Sequence, residues 1–198
     1  GAIVLFGQEP FSTMLKSSNM EIYKYDWVWK KSNPSNIGNA NIQPLKYHEY
    51  IHVFYKKQPT YNKQMIPRLD KTVASMQKSG KSFYNRTSEG MLLEEVEVNS
   101  EKYDANWKNP STILEFPSLR PTSKEFVSHP TQKPLALCEY LINTYTNKGE
   151  LVLDNCIGSG TTAIACINTN RNYIGIEKDD NYYNLAKKRI NDHTSQIA

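Results

Sequence analysis

The sequence predicts an α/β fold with a mixed, mostly parallel sheet, and two observations lead to that prediction. The last third of the chain alternates in the order helix, strand, helix, strand, helix, which is the pattern of a parallel α/β unit. Residues 1–55 contain three strand-like segments and one short helix, as at the antiparallel end of a mixed sheet. With 198 residues, 38% of them apolar, the chain is long enough to bury a core.

The elements of the first part follow from their apolar patterns. A continuous apolar run at residues 3–6 predicts a strand covered on both faces, and a short helix is predicted at residues 11–18. The aromatic, roughly alternating residues 22–30 predict a second strand, and residues 50–55 predict a third. The polar residues 31–46 between them predict a loop.

The last third begins with a helix that we expect Thr131 to cap, with Pro134 in its first turn. Its apolar residues follow helical spacing at Leu135, Cys138, Leu141, Ile142 and Tyr145. Buried strands are predicted at residues 151–154 and 172–177, with a helix at residues 161–168 between them. A final helix, capped by Asp179 or Asp180, is predicted to run to residue 190.

The turn after the strand at residues 151–154 has the features of a ligand site. Asp154 ends the strand, and Gly158 and Gly160 follow before the next helix begins. Glycines allow the backbone to approach a ligand closely, and a helix start offers free N–H groups to a negative group. The next strand ends in Glu177, 23 positions after Asp154, where an acidic residue grips ribose hydroxyls in nucleotide-binding α/β proteins. The pattern predicts a pocket for a nucleoside-bearing cofactor; because a third glycine is missing, an ordinary strand–turn–helix corner remains the alternative.

Residues 56–126 differ from the rest in composition. Their first half is basic, with Asp70 as its one acidic residue, and contains the aromatic residues Tyr61, Phe83 and Tyr84. Such a mixture suits contacts with phosphates and stacking on bases. A solvated insertion without a ligand is the alternative, and composition alone favours neither.

Two local motifs match enzyme patterns only superficially. His48-Glu49-Tyr50-Ile51-His52 fits the zinc-protease pattern, but its flanks favour a strand, on which the two histidines would lie about 13 Å apart, too far for one zinc ion. Ser79-Gly80-Lys81-Ser82 resembles a phosphate loop, but Ser75 stands where the first glycine belongs. We expect no metal site, and the sequence shows no Ser-His-Asp arrangement.

The cysteines and the chain's polarity indicate its compartment. Cys138, Cys156 and Cys166 form no Cys-x-x-Cys pair and are expected to be free thiols of a reducing compartment. No apolar run is long enough to span a membrane, and the N-terminus lacks the layout of a signal peptide. A cytoplasmic protein without membrane contact is therefore expected, and its net charge of +4 is mild.

In combination, the motifs resemble those of bacterial and phage DNA amino-methyltransferases of the permuted, beta-type order. The residues that carry the resemblance are His129-Pro130-Thr131-Gln132-Lys133-Pro134, Leu153-Asp154, Gly158-Ser159-Gly160-Thr161-Thr162 and Ile174-Gly175-Ile176-Glu177, with support from residues 1–6, 25–31 and 46–55. It covers nearly the whole chain except residues 68–126. The resemblance implies a Rossmann-like S-adenosylmethionine-dependent methyltransferase sheet. It places the core at residues 1–56 and 127–198 and a target-recognition-like insertion at residues 57–126.

The resemblance also implies the ligands and the residues that bind them. For the cofactor S-adenosylmethionine, the implied residues are Thr131, Lys133, Asp154, Asn155, Cys156, Gly158, Ser159, Gly160, Thr161 and Glu177. The backbone of residues 154–161 would surround the methionine end, Thr131 and Lys133 would reach its carboxylate, and Glu177 would bind the ribose. For double-stranded DNA, the candidates in the basic segment are Lys63, Arg68, Lys71, Lys78, Lys81 and Arg86.

Two departures from the family's pattern limit what the chain is expected to do. Asp154-Asn155-Cys156 stands where the family usually has Asp-Pro-Phe, which reduces the aromatic wall beside the cofactor. The family's catalytic Pro-Pro tetrapeptide is absent, so we expect the catalytic residues upstream of Gly1 and the sheet to be incomplete at its N-terminal end. The chain begins directly on a strand, and we expect it to be the C-terminal portion of a longer polypeptide.

These observations define the expected function. We expect a site-specific methyltransferase, of a restriction-modification type, that acts on the exocyclic amino group of adenine in DNA. A cytosine-N(4) enzyme, or an inactive module that binds cofactor and DNA, is the alternative. We do not expect the 198-residue chain to methylate DNA alone.

Overall fold

The computed structural model describes residues 1–68, 81–85, 93–97, 104 and 106–197, with residues 81–85 and 93–97 described by backbone alone. The chain forms two compact units, one of Gly1–Asn62 with Ser111–Ala198 and the other of Lys63–Pro110. Residues 57–62 and 111–126, which the sequence placed in the insertion, thus group with the first unit. No helix among the described residues is both long and apolar enough to cross a membrane.

The first unit contains a four-stranded sheet in the order β1-β3-β2-β8. Its strands are β1 (Ile3–Gly7), β2 (Tyr23–Lys30), β3 (His48–Phe54) and β8 (Ile113–Glu115), and α1 (Phe11–Ser18) connects the first two. β3 is antiparallel to both of its neighbours, whereas β8 runs parallel to β2 with Val28 opposite Ile113. The predicted mixed sheet is confirmed, and so is its antiparallel end.

A helix, α2 (Leu135–Tyr145), covers one face of this sheet. The buried residues of this core are Trp27, Trp29, Ile51, Val53 and Leu114 from the sheet and Leu137, Leu141 and Tyr145 from α2. Trp27 Nε1 donates a hydrogen bond to the Tyr145 hydroxyl at 2.6 Å, so the buried polar atoms of the two rings satisfy each other. Leu137 is fully buried, and its truncation to alanine would cost about 2–5 kcal/mol.

The start of α2 differs from the sequence prediction. The residue before the helix is Pro134, whose ψ of 136° is extended and whose side chain makes no capping hydrogen bond. Thr131 is therefore not the N-cap; it is exposed and lies in a turn three residues before Pro134. The backbone N–H of Leu135 is instead bound by the Glu125 carboxylate, at 2.9 Å. A carboxylate ten residues upstream satisfies the free donor that a local hydroxyl was expected to bind.

The predicted parallel unit is present as β9 (Leu151–Asp154), α3 (Thr161–Thr169) and β10 (Asn172–Gly175). β9 and β10 are parallel neighbours in a two-stranded sheet. One face is covered, because Val152 packs with Cys138 and Ile142 of α2 and with Cys166 of α3.

The other face of this small sheet is open to solvent. Leu151 is 59% exposed and Leu153 is 64% exposed, and by register they share a face with Ile174, which is 49% exposed. The sequence predicted buried strands here, and the exposure of these three side chains differs from that prediction. A run of apolar residues can predict a strand, but whether another element covers that strand depends on the tertiary structure.

The last helix, α4 (Asp180–Ile197), is longer than predicted. Asp179 caps it, because its Oδ1 accepts the N–H groups of Asn181 at 2.9 Å and Tyr182 at 3.1 Å. This confirms one of the two candidate caps.

The second unit contains two antiparallel pairs. β4 (Ile66–Pro67) pairs with β7 (Trp107–Lys108), and β5 (Lys81–Asn85) pairs with β6 (Leu93–Glu97). In the second pair Lys81 lies opposite Glu97.

Candidate functional site

The glycine turn connects β9 to α3 and adopts a conformation that requires glycine at two positions. Gly158 has φ of +53° and Gly160 has φ of +79°, both in the left-handed region. A Cβ at Gly158 would lie 2.7 Å from His129 Nε2, and one at Gly160 would lie 3.2 Å from the Ala186 Cβ. Gly160 is also the N-cap of α3, and no side chain caps the backbone N–H groups of the helix start. The first turn of α3 therefore presents its backbone N–H groups without a competing side-chain cap.

Asp154 shapes the first half of this turn. Its Oδ1 accepts the N–H of Cys156 at 3.0 Å, and its Oδ2 accepts the Thr162 hydroxyl at 2.6 Å. The carboxylate thus joins the end of β9 to the first turn of α3. Asn155 and Cys156, between the strand and the glycines, are both exposed.

Glu177 closes the turn from the neighbouring strand. Its Oε2 accepts the N–H of Gly158 at 2.8 Å, and its Oε1 accepts the N–H groups of Lys178 and Asp179 at 2.9 and 3.1 Å. The bonds from Asp179 and Gly158 lower the pKa of Glu177, so its carboxylate is charged at neutral pH. A carboxylate has about four lone-pair sites, so Glu177 keeps acceptor capacity for a ligand hydroxyl.

Ser159 and Thr161 lie at the turn with their side chains buried. They are 3% and 5% exposed, and their hydroxyls are 3.2 Å apart. Arg189 of α4 binds both residues: its Nη1 donates to the Ser159 carbonyl at 3.0 Å and to the Thr161 Oγ1 at 2.9 Å. The hydroxyls of these two predicted cofactor residues therefore lie inside the protein, and the groups that remain for contact with a ligand are those of their backbone. Arg189 was missed because it lies 28 or more positions from its partners.

His129 packs on the glycine turn from the segment before α2. Its ring contacts that of Tyr182, with centroids 4.4 Å apart, and its Nδ1 lies 3.3 Å from the N–H of Thr131. Burial lowers the pKa of His129, although the charge of Glu177 acts in the opposite direction. His129 is therefore neutral at pH 7, and Thr131 is held beside the turn.

Lys133 is engaged in a buried group of charges. Its Nζ is 2.7 Å from Glu49 Oε1, and Lys31 Nζ is 2.8 Å from Glu49 Oε2. Burial by itself would raise the pKa of Glu49, but the two lysines outweigh it and lower the pKa. Lys133 also lies over the ring of Phe6, 4.9 Å from its centroid. One carboxylate faces two ammonium groups, so this group keeps a net positive charge at the end of β1.

The cysteines divide into two environments. Burial raises the pKa of Cys138 to about 12 and that of Cys166 to about 11, so these thiols stay protonated at neutral pH. Cys156 is exposed beside the candidate site. All three are free thiols, as predicted.

The structure also contains a Ser-His-Asp arrangement, which the sequence analysis did not find. His52 Nδ1 lies 2.6 Å from Asp26 Oδ1, and His52 Nε2 lies 2.9 Å from Ser12 Oγ. The three residues come from β3, β2 and α1, so their spacing in sequence carries no signal. Ser12 and His52 are both fully buried, and a substrate cannot reach the hydroxyl. The arrangement joins α1 to the sheet.

The same contacts bear on the zinc-like motif. His48 and His52 lie on strand β3, as the flanking residues predicted, and both ring nitrogens of His52 are bound to Asp26 and Ser12. Within the described part of the chain, no group of three or more His, Cys, Asp or Glu residues could hold a metal ion.

The basic candidates lie in the second unit. Lys63 Nζ donates to Asn109 Oδ1 at 3.0 Å, and Arg68 Nε donates to the Trp107 carbonyl at 3.1 Å. Lys81 is on β5, where only the backbone is described. The predictions for Lys71, Lys78 and Arg86 fall outside the described residues.

The fold and the turn define a Rossmann-like α/β protein, since a glycine turn between two parallel strands is followed by an acidic residue after the second. The N6/N4 methyltransferase family, described as DNA methylase, matches residues 2–188. The chain therefore belongs to the N6/N4 DNA methylase family.

Individual relatives agree with this assignment. Type II methyltransferase M.HpaI of Haemophilus parainfluenzae is 43% identical over 82 residues, which are 41% of this chain and 26% of that protein. DNA adenine methyltransferase YhdJ of Escherichia coli (strain K12) is 39% identical over 83 residues, which are 42% of this chain and 28% of that protein. The crystal structure of the M1.HpyAVI–SAM complex is similar in fold, with a TM-score of 0.63 and 29% identity over 96% of this chain and 74% of that one. The chain thus spans about a quarter of the length of these two curated relatives.

Proposed function

We propose that this chain supplies the cofactor half of a DNA methyltransferase that transfers a methyl group from S-adenosylmethionine to the exocyclic amino group of adenine. The observation that carries the proposal is the glycine turn closed between Asp154 and Glu177, with an uncapped helix start beside it. The choice of cofactor is supported by the chain's membership of the N6/N4 DNA methylase family and by its similarity to M1.HpyAVI, whose structure is a complex with SAM.

Each end of the site suits a different part of S-adenosylmethionine. Glu177, charged and with free acceptor capacity, would accept the ribose hydroxyls. The N–H groups at the start of α3 would face the methionine carboxylate. The excess positive charge of Lys31 and Lys133 around Glu49 favours the same carboxylate. Thr131 would contribute from the turn beside His129. When bound, the cofactor supplies a methyl group that is already reactive on its sulfonium, so the protein's contribution is positioning.

We further propose that the chain is the C-terminal portion of a permuted, beta-type enzyme and that the groups holding the target base come from a preceding segment. Among the described residues, β1 pairs with β3 alone and β9 pairs with β10 alone. The open apolar face formed by Leu151, Leu153 and Ile174 also needs a cover. A strand between β9 and β1 would join the two sheets, and helices from the same segment would bury this face.

The role of the second unit is a separate part of the proposal. We propose that the basic residues predicted from the sequence, Lys63, Arg68, Lys71, Lys78, Lys81 and Arg86, contact DNA phosphates, while the target base is flipped out toward the cofactor. Neutralising Lys71 and Lys78 together should lower the slope of log affinity against log salt by about 2, roughly 1 for each lost contact. Lys187 and Lys188, exposed on α4, are the matched control pair. An unchanged salt slope in the Lys71/Lys78 double variant would contradict this assignment.

The test of the whole proposal compares the 198-residue chain with the chain extended by its upstream reading frame. Calorimetric titration should show that both bind S-adenosylmethionine, and that Glu177→Gln weakens binding roughly tenfold. Transfer of a tritiated methyl group to DNA should occur with the extended protein and not with the 198-residue chain. Transfer by the 198-residue chain would show that it holds a complete active site and would overturn the half-site proposal.

The identity of the modified base decides whether adenine or cytosine is the target. Nuclease digestion followed by mass spectrometry should find N6-methyladenine in DNA treated with the extended protein. N4-methylcytosine would replace adenine by cytosine as the target, and cofactor binding without any transfer would favour an inactive binding module.

A further inference from the structure

One face of α4 packs against the glycine turn and against His129. Tyr182, Ala186 and Arg189 are spaced four and three residues apart, so they lie on one side of the helix. Tyr182 contacts the His129 ring, and Ala186 lies where a Cβ on Gly160 would meet it. Arg189 continues this line onto the Ser159 and Thr161 side of the turn.

Arg189 connects two segments that the proposed function places around the methionine end. Its Nη1 binds the turn through the Ser159 carbonyl and the Thr161 hydroxyl, and its Nη2 lies 3.3 Å from the Glu125 carbonyl. Glu125 in turn holds the segment before α2, because its carbonyl accepts Gln132 Nε2 at 2.7 Å. A planar guanidinium can serve these acceptors together because its five N–H donors point in fixed directions.

The contacts also explain how this position holds a half-buried cation. Burial removes water from the Arg189 guanidinium and lowers its pKa, although the charge of Glu125 acts in the opposite direction. Its hydrogen bonds go to carbonyl and hydroxyl oxygens of the turn and of the segment before α2. Desolvating an arginine is costly unless its donors are used, and here they fix the spacing between two pieces of chain.

We propose that Arg189 is a positioning residue for the cofactor, which holds the Ser159–Thr161 turn and the segment of Thr131 and Lys133 at the spacing that the methionine end requires. The inference rests on the proposed cofactor site and extends that site to the C-terminal helix. Arg189 does not touch the reacting atoms. It acts through the backbone of the turn and through the segment that carries Thr131 and Lys133.

The test uses two ligands that differ at the methionine end. S-adenosylmethionine carries the amino acid group, whereas 5′-methylthioadenosine keeps the ribose that Glu177 would bind and lacks that group. In calorimetric titrations Arg189→Gln should weaken S-adenosylmethionine roughly tenfold or more and change 5′-methylthioadenosine by less than about twofold. Lys188→Gln, an exposed change on the same helix, should alter neither affinity.

A conservative variant and a second measurement guard against misfolding. Arg189→Lys keeps the charge but cannot span both segments, so its affinity for S-adenosylmethionine should lie between those of the wild type and Arg189→Gln. Hydrogen exchange should be faster at the amides of residues 159–161 in Arg189→Gln and unchanged in Lys188→Gln.

The outcomes separate this inference from the proposed function. An equal loss for both ligands, or no loss for either, overturns the positioning role of Arg189. Wild-type protein that binds neither ligand overturns the proposed function, and hydrogen exchange then decides whether Arg189 holds the turn.

Discussion

A pair of glycine substitutions tests whether α4 packs on the glycine turn as described. Gly160 and Gly149 have nearly the same backbone φ, +79° and +82°, in the left-handed region. A Cβ at Gly160 would lie 3.2 Å from the Ala186 Cβ and 3.3 Å from its Cα, whereas a Cβ at Gly149 would meet nothing within 4 Å. Gly149→Ala is therefore a matched control for Gly160→Ala.

The expected magnitudes follow from these contacts. Alanine in the left-handed region costs about 1–2 kcal/mol, and the loss of glycine's freedom in the unfolded chain returns about 0.4–1 kcal/mol. Both contributions are common to the two variants and cancel in the difference. What remains for Gly160→Ala is the forced shift of α4, about 1–3 kcal/mol, as for overpacking elsewhere.

Urea unfolding followed by tryptophan fluorescence measures the difference. Trp27 and Trp29 are buried in the first unit and report on its unfolding. Gly160→Ala should also weaken S-adenosylmethionine binding, while Gly149→Ala should not. Equal unfolding free energies for the two variants, within about 0.5 kcal/mol, would refute the packing of α4 on the turn.

Three further predictions concern other parts of the first unit. Glu49→Gln should lower the unfolding free energy by about 2 kcal/mol, less than the ~3–5 kcal/mol for a fully broken buried pair because the amide oxygen still accepts from one lysine. Because the pKa of Glu49 is lowered from 4.5, its contribution to stability is complete above pH 4.5 and is lost as the pH falls through the folded value. Glu49→Gln should therefore reduce the loss of stability at acid pH. An unchanged loss would argue against the contacts of Glu49 with Lys31 and Lys133. The pKa of His129 is lowered from 6.5, so the unfolded chain binds its proton more readily, and stability should fall as the pH drops from above 6.5 through the folded value. In thermal melts, His129→Asn should remove this pH dependence of stability. His48→Gln, at the exposed start of β3, should retain it. The reverse result would show that a group other than His129 causes the pH dependence. Ser12 should remain unlabelled by a fluorophosphonate probe because it is fully buried, and a labelled native protein would show that the buried Ser-His-Asp arrangement is accessible.

Local sequence patterns were sufficient where the contacts themselves are local. The turn between Asp154 and Thr162 spans eight positions, so apolar runs, glycines and acidic residues predicted its strand, turn and helix. Glu177 was predicted for the same reason, since its bond to Gly158 reaches over nineteen positions of one β-α-β unit. These elements are confirmed, while their role in binding S-adenosylmethionine stays a proposal.

The remaining features depend on contacts that no local pattern reports. Arg189 meets Glu125 across 64 positions, and Lys133 meets Glu49 across 84. The cap predicted at Thr131 was wrong because a distant carboxylate, Glu125, binds the start of α2 instead. The type of a side chain can indicate that it needs a hydrogen-bond or charge partner when buried, but which residue becomes that partner depends on how separate elements pack together.

The parallel pairing of β2 with β8 has a consequence for how the second unit can vary. Asn62 and Ser111 border that unit, and both lie in a first unit whose sheet is completed by β8. For a flexible segment, the entropy of closing a loop rises so slowly that doubling its length costs only about 0.6 kcal/mol. Segments of quite different lengths can therefore be exchanged between these two fixed ends with little loss of stability, and a change of inserted segment can leave the glycine turn and its supporting helix intact.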